Sequence, residues 1–407
     1  MRKSERPHIG FFGRRNVGKS AIVNFIAGQE VAIVSDHPGT TTDPVDKTLE
    51  LTGIGPVVII DTAGIDDAGD IGEKRVERTR RILEQVDLAV LVIEENRFSE
   101  YEQELIHFFE ARHLPFFTLH NKNDRCPLKE ATRQSIVNET RSDILDISAL
   151  SGCDSTGVIA LIKRHLPHSL FNQPSIVGDL VKRGDLVMLI TPIDVEAPKG
   201  RLILPQVQTI RDALDHDCMT IVLKERELDA YWSRVKAEPS LVITDSQAFL
   251  KADAAIPKHI PLTSFSILFA RLKGDFAKYL EGTPHLDRLS DNDTLLLMES
   301  CSHHVSCDDI GRVKIPRWIS HYTGKQLNFD IVSGLDKPPK PIDSYRLVIQ
   351  CGGCMLTRTQ VMNRLKPAID AGIPVTNYGM TIAWVHGIYN RAIAPFTGTL
   401  LHPANYL

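Results

Sequence analysis

The chain has 407 residues, of which 43% are hydrophobic and 24% are charged, a composition typical of a folded protein with more than one domain. Its formal net charge of −4 gives no electrostatic reason to expect a nucleic-acid partner. No segment approaches the ~20 apolar residues of a membrane-spanning helix, and the apolar part of the N-terminus is too short for a secretory signal. We therefore expect a cytoplasmic protein with no membrane partner, whose seven cysteines are reduced.

The first region alternates short apolar runs with helical patterns. The predicted strands are HIGFF, VVIID, LAVLVIE, FFTLHN and DILDIS, and the predicted helices are KSAIVNFIAG, EKRVERTRRILEQ, EQELIHFFEARH and STGVIALIKRHL. Strand–helix alternation at this spacing predicts an α/β fold with a doubly wound, mainly parallel sheet and helices on both faces. We assign residues 1–170 to this domain.

The loop GRRNVGKS follows the first predicted strand and opens the first predicted helix. It matches the phosphate-binding P-loop pattern G-x-x-x-x-G-K-[ST] at every fixed position. The glycines of this pattern, Gly13 and Gly18, let backbone N–H groups approach the phosphates, and the helix N-terminus adds positive potential. We expect Lys19 to reach the β- and γ-phosphates and Ser20 to bind Mg²⁺.

Three further motifs follow in the order that a GTPase requires. The segment DTAG ends the strand VVIID, so that Asp61 is expected to hold Mg²⁺ through water and the Gly64 backbone to face the γ-phosphate. The segment HNKND resembles the motif whose aspartate accepts hydrogen bonds from guanine, and SAL resembles the motif whose backbone N–H contacts guanine O6. The residues expected to hold the base are Asn121, Lys122, Asp124, Ser148 and Ala149. Four motifs in this order predict a GTP-binding domain.

The segment HPGTTTD resembles the first switch of the GTPases that include Era, Der and MnmE. This resemblance implies that Thr41 contacts Mg²⁺ and the γ-phosphate, and that Asn16 holds a K⁺ ion. Ile65 stands where many small GTPases carry a glutamine that orients water, and an apolar side chain cannot orient water. We therefore expect Lys19, Thr41 and Gly64 to support slow GTP hydrolysis that K⁺ or dimerisation accelerates.

The second region, residues 171–262, has the pattern of a small α/β unit. Its predicted strands include DLVMLITP and SLVITDS, its clearest predicted helix is PQVQTIRDALDHD, and MTIVLKERELDAYWSRVK has the pattern of a strand followed by a helix. The region carries no catalytic constellation. We therefore expect a structural or dimerisation domain, and we take it as the candidate interface of a homodimer.

The third region, residues 263–407, opens with a predicted helix in TSFSILFARLKGDFAKYLEG. Two predicted strands, DTLLLMES and YRLVIQ, run directly into Cys301 and Cys351, and the predicted helix TRTQVMNRLKPAIDAG follows the second. In an open α/β sheet the ends of strands are where sites are usually built. We therefore expect the site of this α/β domain to lie at these two strand ends.

The cysteines of the third region allow three chemistries. Cys351 and Cys354 have the spacing of a redox pair, but that interpretation leaves Cys301 unexplained. Three cysteines and a histidine are a common structural zinc set. Three thiolates also suit a 4Fe-4S cluster in which one iron keeps an exchangeable ligand. The candidates for the fourth position are His303, His304, Cys307, water and a ligand from the cargo.

A GTPase of this kind with C-x-H followed by C-x-x-C resembles the HydF family, the maturation GTPases of FeFe-hydrogenases. Here 47 residues separate His303 from Cys351, and the resemblance covers the whole chain. It implies that Cys301, His303, Cys351 and Cys354 hold a 4Fe-4S cluster. It further implies that a two-iron precursor arrives from radical-SAM maturases and is delivered to apo FeFe-hydrogenase. Gln350 departs from the family, in which many members have histidine at that position.

Two other functions fit parts of the pattern. A ribosome- or RNA-associated GTPase with a zinc-stabilised C-terminal domain would share the nucleotide motifs, but the acidic net charge disfavours it. A redox-sensing regulator would use Cys351 and Cys354 as a disulfide pair and would not need Cys301.

Overall fold

A computed structural model gives the fold as two compact units, residues 1–173 and residues 174–407. The residues that it describes are 6–27, 45–51, 53–62, 79, 81–150, 155–167, 174–192, 202–235, 237–300 and 309–397. Within these ranges, no helix has both the length and the apolar character needed to cross a bilayer.

The first unit is built on a six-stranded sheet. In chain order the strands are β1 (His8–Phe12), β2 (Val45–Leu51), β3 (Gly55–Asp61), β4 (Leu88–Glu94), β5 (Phe116–Asn121) and β6 (Ile144–Asp146). Their order across the sheet is β2-β3-β1-β4-β5-β6, and every neighbouring pair is parallel except β2 with β3. In the described residues, the helices with defined bounds are α1 (Lys19–Ala27), α2 (Glu100–Ala111), α3 (Glu130–Thr140) and α4 (Thr156–His165). Part of the predicted helix EKRVERTRRILEQ lies outside the described residues. The predicted doubly wound, mainly parallel sheet is confirmed.

Strand β4 shows why this sheet is covered on both faces. Its residues alternate between two hydrophobic cores: Val90 and Val92 pack into one, and Ala89, Leu91 and Ile93 pack into the other. A strand that is buried on both sides must be apolar throughout, which is why LAVLVIE is a continuous apolar run. Polar residues are therefore excluded from β4 and lie beyond its ends.

The edge strand β2 is present in the structure but was not predicted from the sequence. Leu49 and Leu51 are buried whereas Thr48 and Glu50 are exposed, so one face of β2 packs and the other meets solvent. This alternation has the period of two residues that indicates a half-buried strand. The signal is present in VDKTLEL, but it is weaker than the continuous apolar runs of the central strands.

The second unit contains two four-stranded parallel sheets. The first sheet has the order β10-β9-β7-β8, and the second has the order β12-β11-β13-β14. The strands are β7 (Leu186–Ile190), β8 (Met219–Leu223), β9 (Leu241–Thr244), β10 (Leu262–Ser264), β11 (Thr294–Met298), β12 (Asn328–Val332), β13 (Leu347–Gln350) and β14 (Val375–Asn377).

Nine α-helices in the described part of this unit connect and cover the sheets. They are α5 (Leu204–Asp215), α6 (Leu228–Arg234), α7 (Phe249–Ala255), α8 (Phe265–Lys273), α9 (Phe276–Gly282), α10 (Ile315–Thr323), α11 (Arg358–Asp370), α12 (Tyr378–Val385) and α13 (Tyr389–Thr397). Shorter helical turns lie at Glu225–Glu227, Ser246–Ala248, Thr283–Arg288, Ile310–Lys314 and Ile342–Ser344.

Helix α8 ties the two sheets into one unit. Ile267 and Ala270 pack into a large core to which strands of both sheets contribute. Phe265, Leu268 and Phe269, on the opposite side of the helix, pack into a second core with residues of β7 and β9. An amphipathic surface helix has one apolar stripe, and a helix that is apolar nearly all round must be buried on both sides.

The segment TSFSILFARLKGDFAKYLEG, in which the sequence predicts a helix, contains two helices. Residues before Phe265 belong to β10, and α8 ends at Lys273, directly before Gly274. A separate helix, α9, begins after this break. Asp275 is its N-cap, and the side chain of Asp275 accepts a hydrogen bond from the backbone N–H of Lys278 at 3.0 Å. The break leaves Lys273 at the C-terminal end of α8, where it contributes to the site described next.

Candidate functional site

The P-loop of the first unit runs from the end of β1 into α1. Lys19 is the first residue of α1, and it is only 4% exposed. Its ammonium donates hydrogen bonds to the carbonyl oxygens of Gly13 and Arg14, at 2.6 and 2.9 Å. The loop thus holds the cation in place over its own backbone, and Ser20 lies exposed in the next position of the helix.

Gly18 brings this loop against the guanine motif. Its φ of +93° is a left-handed conformation that favours glycine, and a Cβ at this position would lie 2.3 Å from Nδ2 of Asn121. The same Nδ2 donates to the carbonyl oxygen of Val17 at 2.9 Å. The two motifs are therefore in direct contact, although more than one hundred residues separate them in the chain.

The two predicted base-holding segments are joined by their own hydrogen bonds. Ser148 donates from its hydroxyl to Oδ1 of Asp124 at 2.6 Å. The backbone N–H of Ala149 donates to Oδ1 of Asn121 at 3.1 Å. These two bonds fix the direction of the Asp124 carboxylate and keep both segments at one edge of the sheet, after the carboxyl ends of β5 and β6.

Lys122 completes the connection between the guanine motif and the P-loop. Its ammonium donates to the carbonyl oxygen of Asn16 at 2.6 Å and forms an ion pair with Glu94. Asn16 has a φ of +63° and its side chain is exposed. The left-handed turn and the bond from Lys122 hold the Asn16 backbone while leaving the side-chain amide available for a ligand.

A His–Asp pair with a buried histidine and a half-buried aspartate supports the guanine motif, and no sequence motif predicts it. The ring of His120 is fully buried, and its Nδ1 lies 2.6 Å from Oδ1 of Asp146. Its Nε2 accepts a hydrogen bond from the backbone N–H of Asn96 at 3.2 Å, so Nδ1 carries the proton and donates to Asp146. The pair fixes the residue directly before Asn121.

A second pair of partners holds the P-loop from the side of α2, and it too is absent from the sequence prediction. The guanidinium of Arg14 donates to both carboxylate oxygens of Glu102, at 2.7 and 3.2 Å, and to the hydroxyl of Ser99 at 2.8 Å. Bidentate pairs of this kind fix both distance and orientation. A cavity of about 280 Å³ lies beside this pair, between the P-loop and the segment after β4.

Several predicted residues of the nucleotide site lie outside the described residues. These are Thr41, Gly64 and the switch residue Ile65. For Asp61 the structure describes the backbone, which ends β3 opposite Val45. The remaining predicted positions, from Gly13 to Ala149, gather at the carboxyl ends of β1, β5 and β6.

The second candidate site is the loop between β13 and α11. Strands β11 and β13 pair in register, with Met298 beside Gln350, so the residues that follow the two strands are adjacent. The sulfur of Cys351 accepts a hydrogen bond from the backbone N–H of Ser300 at 3.1 Å, and the Ser300 hydroxyl lies 2.8 Å from the same sulfur. The prediction that Cys351 follows a strand is confirmed.

The loop CGGC turns sharply through Gly353, whose φ is +70°. Gly352 does not adopt a positive φ, so only one of the two glycines is needed for the turn. Cys354 follows, and burial together with the neighbouring Cys351 raises the pKa of its thiol to about 11, against a smaller lowering by Lys273.

Two cations on either side of the loop join it to the end of α8. Lys273, which is 5% exposed, donates to the carbonyl oxygens of Gly353 at 3.1 Å and Leu356 at 2.6 Å. In return, Arg358 at the start of α11 donates to the carbonyl oxygens of Leu272 at 2.8 Å and Gly274 at 3.3 Å. The loop and the helix end therefore satisfy each other's backbone acceptors.

Gln350 is the last residue of β13, directly before Cys351. Its side chain is fully buried, and Nε2 lies 3.3 Å from the Ser300 hydroxyl and 3.5 Å from the sulfur of Cys351. Oε1 has no hydrogen-bond partner. The amide therefore contributes to the polar surroundings of the sulfur.

The cysteine loop has features that fit a metal cluster. Cys351 and Cys354 are free thiols, and backbone and hydroxyl donors already surround the first sulfur. Hydrogen bonds to the sulfurs and the degree of solvent exposure are among the features by which proteins set the reduction potential of iron–sulfur clusters. The predicted ligands Cys301 and His303, and the alternatives His304 and Cys307, lie outside the described residues. Across the described ranges, no group of three or more metal-ligating side chains is assembled.

Comparison with protein families assigns the chain in two steps. Residues 8–122 match the 50S ribosome-binding GTPase family, which places the first unit among the P-loop GTPases, whose ligands are GTP and Mg²⁺. Residues 176–274 match the hydrogen maturase F dimerization domain, and residues 277–395 match the hydrogen maturase F tetramerization domain. These two matches together span more than half of the chain, and the chain belongs to the hydrogen maturase F family. The resemblance to HydF predicted from the motifs is confirmed.

Curated relatives are similar to the GTPase domain. The tRNA modification GTPase MnmE of Nitrosomonas europaea is 38% identical over 141 residues, which are 34% of this chain and 30% of that protein. MnmE of Heliobacterium modesticaldum is 37% identical over 155 residues, 37% of this chain and 32% of that protein. The match thus spans about a third of each relative's length.

Solved structures give weaker similarity. Era of Aquifex aeolicus bound to GDP and aluminium fluoride has a TM-score of 0.34 at 19% identity, covering 53% of this chain and 92% of that one. The G domain of the T. maritima FeoB iron transporter has a TM-score of 0.32 at 18% identity, covering 39% of this chain and 98% of that one.

Replacement of Asp124 by asparagine tests the base-holding geometry. If Asp124 accepts from guanine N1–H and the 2-amino group, Asp124→Asn should weaken GTP binding roughly tenfold to a hundredfold, the usual range for hydrogen bonds to a charged group. It should improve binding of xanthosine triphosphate, because the asparagine amide can donate to the oxygen that replaces the 2-amino group. Titration calorimetry with both nucleotides measures the change.

The matched control is Asp143→Asn, which removes a carboxylate that pairs with Arg164 and His165 in the same unit. Both nucleotide affinities should stay at wild-type values in this control. Wild-type GTP affinity in Asp124→Asn would contradict the assignment of Asp124 to the base.

Proposed function

We propose that this protein is a GTP-hydrolysing scaffold that holds a 4Fe-4S cluster and delivers a two-iron precursor to apo FeFe-hydrogenase. The observation that carries the proposal is the presence in one chain of a P-loop GTPase domain and a strand-end cysteine loop within a region that matches hydrogen maturase F. The precursor arrives from radical-SAM maturases and is cargo. The protein works in the cytoplasm.

GTP binding uses the edge of the first sheet where the motifs meet. Lys19 exchanges the carbonyl oxygens of Gly13 and Arg14 for phosphate oxygens, and Ser20, Thr41 and Asp61 hold Mg²⁺. The Gly64 backbone faces the γ-phosphate. Guanine is held by the residues of the two joined segments, Asn121, Lys122, Asp124, Ser148 and Ala149. GTP hydrolysis then changes the affinity of the protein for its partners.

Potassium is the proposed activator of hydrolysis, with Asn16 as a ligand. The exposed Asn16 side chain stands beside the expected phosphate position, and Ile65 cannot orient water. A monovalent cation there neutralises the charge that develops on the phosphates in the transition state.

Hydrolysis in KCl should therefore exceed hydrolysis in NaCl of equal ionic strength by roughly tenfold, equivalent to about 1.4 kcal/mol of barrier. The rate of phosphate release at saturating GTP, measured in each salt, gives this ratio. In Asn16→Ala the difference between the two salts should disappear while GTP affinity stays unchanged. An Asn16→Ala variant that keeps the full response to KCl would exclude this residue as the ligand.

The cluster is held by Cys301, Cys351 and Cys354, which leaves one iron for His303, another local side chain, water or the cargo. An exchangeable iron site supplies what a carrier needs, a position from which another metal group can be taken up and released. The protein's own residues hold the loop and donate hydrogen bonds to the sulfur of Cys351. A zinc site would have the same local spacing but no exchange chemistry for a maturation step.

A ribosome-associated GTPase is the second candidate, since the first unit matches a family of that description. It receives no support from the remainder of the chain, where both matched families are hydrogen maturase F domains. A redox regulator would use Cys351 and Cys354 as a disulfide pair on oxidation and would not need Cys301, so replacement of Cys301 alone separates it from the cluster proposal.

The edge strand β8 is the proposed dimer contact. Met219 is 58% exposed and Val222 is 41% exposed, and Leu214 of the neighbouring α5 is also exposed. An edge strand offers unpaired backbone groups, and apolar side chains on it favour pairing with another chain. The matched family for residues 176–274 is a dimerization domain, so the partner is a second copy, related by a twofold axis.

Val222→Arg should convert the dimer to a monomer, because the interface would then bury an unpaired charge. Light scattering after gel filtration measures the mass. The control is Leu250→Arg on α7, which also replaces an exposed apolar residue, and it should remain a dimer. A dimer of unchanged affinity in Val222→Arg would place the interface elsewhere.

The cluster assignment is tested by anaerobic reconstitution with iron and sulfide, followed by reduction and EPR spectroscopy. The wild-type protein should give a 4Fe-4S signal, and when loaded with the two-iron precursor it should activate apo-hydrogenase, measured as hydrogen evolution. The triple variant Cys301→Ala, Cys351→Ala, Cys354→Ala should lose both, because it removes all three proposed thiolates.

The matched control replaces two cysteines outside the loop, Cys126→Ala and Cys218→Ala, and should keep both properties. A colourless wild-type protein that binds zinc, or an EPR signal that survives in the triple variant, would contradict the cluster assignment.

A further inference from the structure

The turn that follows β4 has two consecutive residues in a left-handed backbone conformation. Glu95 and Asn96 have φ values of +52° and +57°. The backbone N–H of Arg97 donates to the carbonyl oxygen of Glu94 at 2.9 Å and closes the turn. Asparagine tolerates this conformation far better than most residues do, and turns of this kind usually place glycine, asparagine or aspartate at both central positions. Asn96 therefore suits its position in the turn, whereas Glu95 is strained there.

The side chain of Asn96 uses both ends of its amide on the segment that leads into α3. Nδ2 donates to the carbonyl oxygen of Pro127 at 3.0 Å and lies 3.3 Å from the sulfur of Cys126. Oδ1 accepts a hydrogen bond from the backbone N–H of Lys129 at 2.6 Å. Lys129 is the N-cap of α3, and in a capping box its N–H would be taken by the third residue of the helix. Here a residue from another strand end takes it.

The backbone N–H of Asn96 closes a ring of hydrogen bonds. It donates to Nε2 of His120 at 3.2 Å, and Nδ1 of His120 lies 2.6 Å from Oδ1 of Asp146. The other oxygen of Asp146, Oδ2, accepts from the backbone N–H of Leu128 at 3.1 Å. The ring thus holds both ends of residues 121–129, which we call the guanine loop.

Asp124 lies in the middle of the guanine loop. The backbone N–H groups of Arg125 and Cys126 both donate to the carbonyl oxygen of Lys122, at 3.0 and 3.1 Å, and Ser148 holds one carboxylate oxygen. These local bonds shape the turn around Asp124, but the position of the turn depends on the two ends of the loop. Hydrogen bonds weaken steeply as their distance and angle depart from the optimum. A displaced end would therefore weaken the bonds from the carboxylate to a base.

We propose that Asn96 is a positioning residue for base recognition, which sets the preference of the protein for guanine over hypoxanthine by holding the end of the guanine loop. This inference rests on the base site proposed above. Hypoxanthine, the base of inosine triphosphate, lacks the 2-amino group, so the Asp124 carboxylate can accept one hydrogen bond from it instead of two. A misplaced carboxylate loses more binding energy with GTP than with inosine triphosphate.

Asn96→Gly is the variant that tests this role. Glycine keeps the positive φ and the backbone N–H that donates to His120, and it removes the bonds of the side-chain amide. The dissociation constant for GTP should rise roughly tenfold and that for inosine triphosphate roughly threefold, measured by titration calorimetry. The turnover rate at saturating GTP should stay at the wild-type value while KM rises, because the base contacts are the same in the ground state and the transition state.

The matched control is Glu95→Gly, which places glycine at the neighbouring position of the same turn and removes an exposed side chain. It should leave the preference for GTP over inosine triphosphate unchanged. Circular dichroism checks that each variant is folded. If Asn96→Gly does not fold, Asn96→Asp carries the same prediction, because it keeps the acceptor for the Lys129 N–H and loses the donor to Pro127.

A wild-type preference for GTP in the Asn96 variant would overturn the proposal. An equal loss of affinity for both nucleotides together with a lower turnover rate would also overturn it, since a purely structural residue would act in that way. The Asp124→Asn variant described above keeps the two inferences apart. Wild-type GTP affinity in that variant would overturn the base site itself, whereas weakened GTP binding there and none in Asn96→Gly would overturn the role of Asn96 alone.

Discussion

The carboxyl ends of buried parallel strands determine where this chain can place its polar residues. A strand that is covered on both faces has no room for a charged side chain, so such residues collect where the strand ends. In the first unit this brings the P-loop after β1 against the guanine motif after β5, where Asn121 donates to the carbonyl of Val17. In the second unit the same constraint brings Ser300 after β11 against Cys351 after β13. Both candidate sites follow from strand register before any ligand is considered.

The sequence predicts these strand-end motifs well because each combines an apolar run with residues that have few structural alternatives. The P-loop, the guanine motif and the cysteine pair could all be placed on their strands in advance. Edge strand β2 could not, because only half of its residues are apolar, and the break between α8 and α9 could not, because Gly274 and Asp275 lie within an otherwise helical pattern. Both features were missed because a local sequence signal competes there with a longer periodic pattern of apolar residues.

Residues that support a site from a distance in the sequence were also beyond prediction. His120 and Asp146 lie on neighbouring strands, and nothing in their local sequence marks them as a pair. Arg14 is one of the variable residues of the P-loop pattern, yet it is tied to Glu102 by two hydrogen bonds. Such partners depend on packing between elements, and a motif specifies only the residues that meet the ligand. The structure is needed to find the residues that hold the motif in place.

Lys19 and Lys273 show one physical arrangement used at both sites. Each is almost fully buried, and each donates to carbonyl oxygens of the loop beside it, Gly13 and Arg14 in one case, Gly353 and Leu356 in the other. A loop that satisfies a buried cation with its own carbonyls already has the positive charge in position for an incoming anion, so binding requires little reorganisation. The two lysines differ in their position on a helix. Lys19 is the first residue of α1 and can move from the loop carbonyls to a phosphate, whereas Lys273 is the last residue of α8 and contacts the backbone on both sides of Cys354.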